Sequence, residues 1–398
     1  MKILCVLPQY HYGERCLGES HEYCAFVPAL QRLGHTVLHF ETFHSGPHYN
    51  FADLNTRLLE CVIAEKPDIM LTVPGDYEIW TDTLRLIREN SRTVTVAWMS
   101  DDTWKYRRVS RFIAPYYDVV TTTYPHAVKA YQRDCVTKVH VTQWAANSQW
   151  LQSPLRAQQC CFPVSFVGLA YGYRPAWIRK CEKAGIAVHC FGNGWPNGPV
   201  KTEQIPWIYR QSIITLNFSD GWVHSRKHPR QIKARVFEVP GAGGFLITET
   251  APGLDAFYEP GREIVTASGP DEMVSSIEHF LCNPAELDRI AEDAHARTLR
   301  DHTYDHRLDE LVTFAASITK PNHWALAAPS LDTALQRHRN TRFLEALRSL
   351  LVTSMGWIWG PIRGTRAARR LVFNLSWRLA GSLTFSSAGL PGRMFPHH

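Results

Sequence analysis

Short apolar runs alternate with helix-spaced segments twice along this chain, and that alternation restricts the fold more than any single motif. In the first series Ile3–Pro8, Thr36–Phe40, Asp68–Val73, Thr93–Met99, Val119–Thr123 and Val139–Gln143 read as strands. Between them, Glu22–Leu33, Leu54–Glu65, Thr83–Glu89 and Ala127–Arg133 carry helical spacing. Strands that are apolar throughout are covered on both faces, which specifies a mostly parallel, doubly wound sheet. A polar stretch around 145–154 ends the series. The second series runs through Val164–Gly168, Val188–Phe191, Ile213–Phe218, Phe245–Thr248 and Ile264–Ala267, with helices near 174–184, 206–212, 233–241, 271–282 and 285–300. The expected architecture is α/β: a doubly wound domain over 1–150, a second over 151–318, and a helical basic extension over 319–398.

Charge sets that extension apart. Residues 337–398 hold ten Arg, no Lys and one acid, Glu345; the whole chain carries +6 and this segment +9, so residues 1–336 carry −3. The body therefore offers no electrostatic case for nucleic acid, whereas the tail suits an anionic surface. Leu331–Val352 reads as one helix, after which Trp357, Trp359, Phe373, Trp377 and Phe385 mix with Arg363, Arg366, Arg369, Arg370 and Arg378. Its apolar runs are too short to span a bilayer, for which about 20 residues are needed. Two readings stand: an interfacial helix on a membrane surface, or a helical extension packed on the body. On either, removing it is expected to leave the fold intact. Ten cysteines without a C-x-x-C pair fit neither a zinc site nor a disulfide framework, and the chain opens directly on a strand; both point to reduced thiols and the cytoplasm.

Several segments fall where open α/β sheets bind ligands, at the ends of strands. Gly168-Leu-Ala-Tyr-Gly172-Tyr-Arg174 follows a strand and opens a helix, so backbone amides and a guanidinium can meet oxyanions there. Gly192-Asn-Gly194-Trp195 ends another strand and suits the approach of a base, or is a turn around a buried Trp. Ile205–Tyr209 is placed to close over such a base, and Asn217 to Trp222 to end the next strand. Lys233 and Arg235 face phosphates from the helix that carries Glu238, while Lys227 and Arg230 read as solvated charges. Glu238 itself either binds ligand hydroxyls or pairs with Arg235 one turn earlier. In the first domain, Asp101 and Asp102 stand between Trp98 and Trp104, as an acceptor or catalytic-base site where Trp faces stack on sugar rings, or as helix N-caps. His11 with Gly13, and His126, are further strand-end candidates, and His302 and Tyr304 read as packing residues.

Arg235-Val-Phe-Glu238, followed by Pro240-Gly-Ala-Gly243-Gly244, the apolar run Phe245–Thr248 and later His302-Thr-Tyr304, resembles the C-terminal half of GT-B glycosyltransferases, in particular the CgeB-like group. The resemblance implies two Rossmann-like domains, an acceptor domain and then a donor domain, and transfer of a hexose-like sugar from a nucleotide-diphosphate sugar to a glycan or other surface polymer. It implies donor contacts from Glu238 to the ribose, from Arg174, Gly168, Gly172, Lys233, Arg235 and Gly243 around the diphosphate, and from Gly192, Gly194 and Trp195 near the base. Asp101, Asp102 and His11 would supply catalysis. No cofactor or metal is expected, no Asp-x-Asp motif standing near the donor segment, and retention of configuration is favoured. The sequence departs from the family at position 230, where Arg replaces the first acid of an E-x7-E pair. That keeps a second reading open, a non-catalytic nucleotide- or glycan-binding protein of a surface-polysaccharide assembly.

Overall fold

A computed structural model describes residues 1–43, 50–220, 230–320 and 322–397. The chain folds as two units, and neither is a single stretch of sequence. The first comprises Met1–Gly13, Gly34–Val141 and Leu311–His398; the second comprises Glu14–Leu33 and Thr142–Glu310. The boundaries read from sequence at 150 and 318 thus miss two exchanges: the first long helix, His21–Arg32, joins the second unit, and the C-terminal helices join the first.

In the first unit β1 (Lys2–Val6), β2 (Thr36–Phe40), β3 (Ile69–Thr72), β4 (Val94–Met99), β5 (Val119–Thr122) and β6 (Val139–Val141) form one parallel sheet in the order β2-β1-β3-β4-β5-β6. Every residue of β3, β4 and β5 is buried, as their unbroken apolar and Thr composition requires of strands covered on both faces. Leu58, Met70, Ala97 and Val120 centre the core. Within it the buried Asn55 side chain is paired: it donates to the carbonyls of Phe51 and Glu78 and accepts from the Trp80 backbone N–H and the Thr83 hydroxyl.

The tail is bolted to this unit. Phe385 is fully buried in the same core, with Phe373 and Trp377 packed against it. Phe373 stacks on Tyr77 at 5.5 Å, Arg369 Nε donates to the Tyr77 hydroxyl at 2.6 Å, and Ser387 N–H reaches Asp82 at 2.8 Å. The single helix expected over 331–352 is two, Asp332–His338 and Arg342–Trp359. Arg339 leaves helical geometry, and Thr341 caps the second helix by accepting from Leu344 N–H, so the apolar periodicity continues while the backbone does not.

In the second unit β7 (Phe162–Val167), β8 (Val188–Phe191), β9 (Ser212–Asn217), β10 (Leu246–Glu249) and β11 (Val265–Ala267) are parallel in the order β11-β10-β9-β7-β8. Phe166, Ile214, Leu216 and Ile247 lie in the core beneath helices Pro270–Cys282 and Pro284–Asp301. Helix His21–Arg32 is held here by Asn147, which donates to the Cys24 carbonyl, and by the Arg32–Asp305 pair at 2.8 Å. From β7 the chain steps to β8 on one side, then crosses back to β9 on the other. The C-terminal ends of β7 and β9 therefore flank the switch point, where a doubly wound sheet opens to a ligand.

Candidate functional site

The switch point is built by three glycine-bearing or charged segments. Gly168 ends β7, and its N–H donates to the Phe191 carbonyl at the end of β8. A Cβ on Gly168 would lie 2.5 Å from Arg235 Nη2, so the missing side chain makes room for that guanidinium. Gly192, at φ 127°, comes so close to the Gly168 carbonyl that a Cβ would sit 2.2 Å from it, and Trp195 Nε1 donates to the same carbonyl at 2.9 Å. Trp195 thus locks the two turns together, with its ring against Phe166 at 6.0 Å. Gly194 stands beside Ala170 of the first turn, and Gly172 beside Asp220.

Two guanidiniums share this spot, and their environments differ. Arg174 is only 2% exposed: Nε and Nη2 hold Asp220 Oδ1 at 3.2 and 3.1 Å, Nη1 donates to the Leu169 carbonyl, and Nη2 reaches the Tyr171 hydroxyl. Burial, and then the nearby charge of Arg235, draw its pKa below the ordinary arginine value. Every nitrogen of Arg174 has a protein partner, so it braces the loop 168–174. Arg235 opens the helix Arg235–Gly241 and spans the switch point, Nε donating to the Val167 carbonyl at 2.6 Å and Nη1 to Asn217 Oδ1 at 2.9 Å. Both of these partners are neutral, and among the described residues no carboxylate forms an ion pair with it. With Asp220 committed to Arg174, the pair of cations keeps one surplus positive charge. Lys233 stands half-buried two residues before Arg235.

Glu238 is one turn further on, 7% exposed. It does not pair with Arg235. His21 Nδ1 lies 3.1 Å from Glu238 Oε1, His21 Nε2 lies 2.7 Å from the Tyr304 hydroxyl, and the Tyr209 hydroxyl donates to Glu238 Oε2 at 3.5 Å. Burial opposes charging His21, but the hydrogen bond and charge of Glu238, with Glu22 behind, outweigh it and raise the imidazole pKa. Tyr304, read from sequence as packing, is buried and also orients this histidine. His302 is a packing residue, hydrogen-bonded to the Phe257 carbonyl.

Position 230, where the family pattern has an acid, carries a cation that is not a solvated charge. Arg230 Nη2 lies 2.9 Å from Glu249 Oε1 and Nη1 donates to the Thr250 hydroxyl. Glu249 ends β10, is 1% exposed, and also accepts from Ser219 N–H and the Tyr173 hydroxyl. Gly243 takes a different place from the other glycines. It precedes β10, at the opposite end of the sheet, where a Cβ would meet the Gln152 carbonyl at 2.5 Å. Trp222 and Lys227 lie outside the described residues.

In the first unit Asp102 is buried after β4, its Oδ2 accepting from Thr122 at 2.7 Å and Tyr131 at 2.9 Å. Burial, opposed by these hydrogen bonds, raises its pKa to about 6. Neither acid caps the following turn, Tyr106–Ser110, whose first flanking residue is Lys105. Asp101 is half-buried, and Trp98 lies inside the core, where its face cannot stack on a sugar. His11 sits half-buried in the short turn His11–Gly13 after β1, and His126 is exposed against Tyr124. Among the described residues no group of three or more His, Cys, Asp or Glu is placed to hold a metal ion.

Two parallel sheets flanked by helices are the arrangement found in a set of solved structures. The fold is GT-B. An alpha-glucosyltransferase solved with UDP-glucose and DNA containing an abasic site is 12% identical, with 80% of this chain and 100% of that one covered and a TM-score of 0.59. The sucrose-phosphate synthase of Thermosynechococcus elongatus is 13% identical over 80% and 100% of the chains, at 0.55. Alr3699/HepE of Anabaena, solved with UDP and glucose, is 12% identical over the same shares, also at 0.55. Residues 174–313, which include Arg174, Arg235 and Glu238, match the family described as Glycosyl transferase-like. No curated protein matches the chain in sequence.

Proposed function

We propose that this protein is a glycosyltransferase of the CgeB-like group, moving a hexose from a uridine diphosphate sugar to a glycan or other surface polymer. One observation carries the reading: Arg235 brings a cation with no carboxylate partner among the described residues to the switch point of the second sheet, with the acid Glu238 one turn behind it. A diphosphate needs the first and a ribose the second, since a carboxylate accepts from both hydroxyls. UDP is the nucleotide to try first because neighbours of the same fold were solved with UDP or UDP-glucose.

In this reading Arg235, with Lys233, takes the diphosphate and the charge that builds as it leaves, without a metal. Arg174 shapes the loop, and His21 and Tyr304 hold Glu238 in place. Front-face departure assisted by the phosphate gives retention. In the first unit Asp102, with a pKa near 6, together with Asp101 and His11, serves the acceptor hydroxyl. Ten unpaired cysteines fit a reducing compartment.

The Arg230–Glu249 pair favours one competitor, a protein that binds the nucleotide sugar without turning it over, because the acid expected to touch the transferred sugar is replaced by a neutralised cation. Incubation with UDP-, GDP- and dTDP-hexoses, followed by chromatography for released nucleotide, separates the two. Release from a UDP-hexose supports transfer; tight binding with no release from any donor establishes the binding protein instead.

A further inference from the structure

Helices Arg342–Trp359 and Pro361–Ala380 form an antiparallel hairpin turning at Gly360, so closely packed that a Cβ on Gly364 would meet Gly356 Cα at 2.5 Å. One side is fixed to the first unit through Phe373, Trp377 and Arg369. Elsewhere the hairpin shows apolar side chains to solvent. Phe343, Leu350 and Trp357, seven apart, run along the first helix, and Trp357 is 87% exposed. Leu371, Leu375 and Leu379, four apart, run along the second, and Ile358 and Ile362 flank the turn, all exposed. Monomers in water rarely leave so extended an apolar surface uncovered.

Charge selects the occupant. Arg363, Arg366 and Arg370 share one face of the second helix, exposed, and among the described residues none is within ion-pair distance of a carboxylate. A second copy seated by two-fold symmetry would bring like arginine-rich surfaces together in a segment with one acid in its last sixty residues or so, which is repulsive. No helix among the described residues is long and apolar enough to cross a membrane. Exposed Trp357, Ile358 and Ile362 at the turn, with Arg363 and Arg366 exposed in the first turns of the second helix, match the headgroup layer of an anionic bilayer. We propose that the hairpin seats the protein on such a surface, with Trp357, Ile358 and Ile362 among the headgroups and Arg363, Arg366 and Arg370 on lipid phosphates. This is independent of the transfer reaction.

The test is co-sedimentation of the full chain with vesicles of phosphatidylcholine alone and of phosphatidylcholine mixed with phosphatidylglycerol. Binding to the mixed vesicles, weakened by salt, is expected, and replacing Arg363, Arg366 and Arg370 by Gln lowers the partition coefficient about fivefold per arginine. W357S with I362S lowers it too. These side chains are exposed, so unchanged thermal unfolding certifies the fold of each variant. Absence of binding to mixed vesicles, equal binding by all variants, or a solution dimer that W357S with L350S dissociates would each overturn the proposal.

Discussion

At the residue scale, Arg235, Glu238 and His21 are the side chains on which the proposed donor site rests. Glu238→Ala is expected to weaken UDP binding by about 1–3 kcal/mol, the loss of a hydrogen-bonded charged acceptor, measured by calorimetry on the full chain. His21 gives the same cluster a pH signature. Its pKa is raised in the folded state, so the stability it contributes is fully present below the unfolded value near 6.5 and is lost as pH rises through the folded value. Denaturant unfolding across that window should show the wild type losing stability with rising pH and His21→Gln losing less; parallel curves would dismiss the pair. The sequence made Glu238 and Arg235 visible because they stand a helical turn apart before a glycine turn. It hid His21, Tyr209 and Tyr304, whose meeting with Glu238 depends on a helix from the first part of the chain folding into the second unit. Glu249 was hidden for another reason: nothing in an acid at a strand end announces a buried pairing with Arg230.

Elements were the most legible level. The runs read at 68–73 and 93–99 contain β3 and β4, because a strand buried on both faces has no other composition available to it. Legibility failed where periodicity and backbone part company, as at Arg339–Thr341, and where a glycine serves packing at the wrong end of a strand, as Gly243 does. The loop after β7 makes a prediction of its own. Gly168→Ala sets a methyl 2.5 Å from Arg235 Nη2, so the guanidinium or the loop must move. Thermal shift with UDP should fall sharply, and the unliganded protein should lose about 1–3 kcal/mol of stability. A full shift in G168A would mean that Arg235 does not meet the ligand from its present position.

For the whole molecule, the interleaving of the chain decides what can be removed. The tail looked like an appendage because its composition breaks from the body, yet Phe385 completes the first core and Phe51 N–H donates to the Pro396 carbonyl. Deleting 337–398 is therefore expected to unfold or aggregate the protein, seen as loss of the cooperative thermal transition; a truncated chain with unchanged unfolding would show the contacts to be superficial. The two-unit α/β plan was readable from alternation alone, whereas the exchange of helices was not, since both units offer equivalent apolar faces to a helix.

Calorimetric titration of UDP into the wild type and into Arg235→Gln tests the central claim most directly. Saturable binding by the wild type, with at least a tenfold weaker affinity in the variant at equal fold stability, is the predicted result, since a charge-assisted hydrogen bond contributes about 1.5–3 kcal/mol. Equal affinity in the two proteins, or a folded wild type that binds neither UDP, GDP nor dTDP, would contradict a donor site at the switch point of the second sheet.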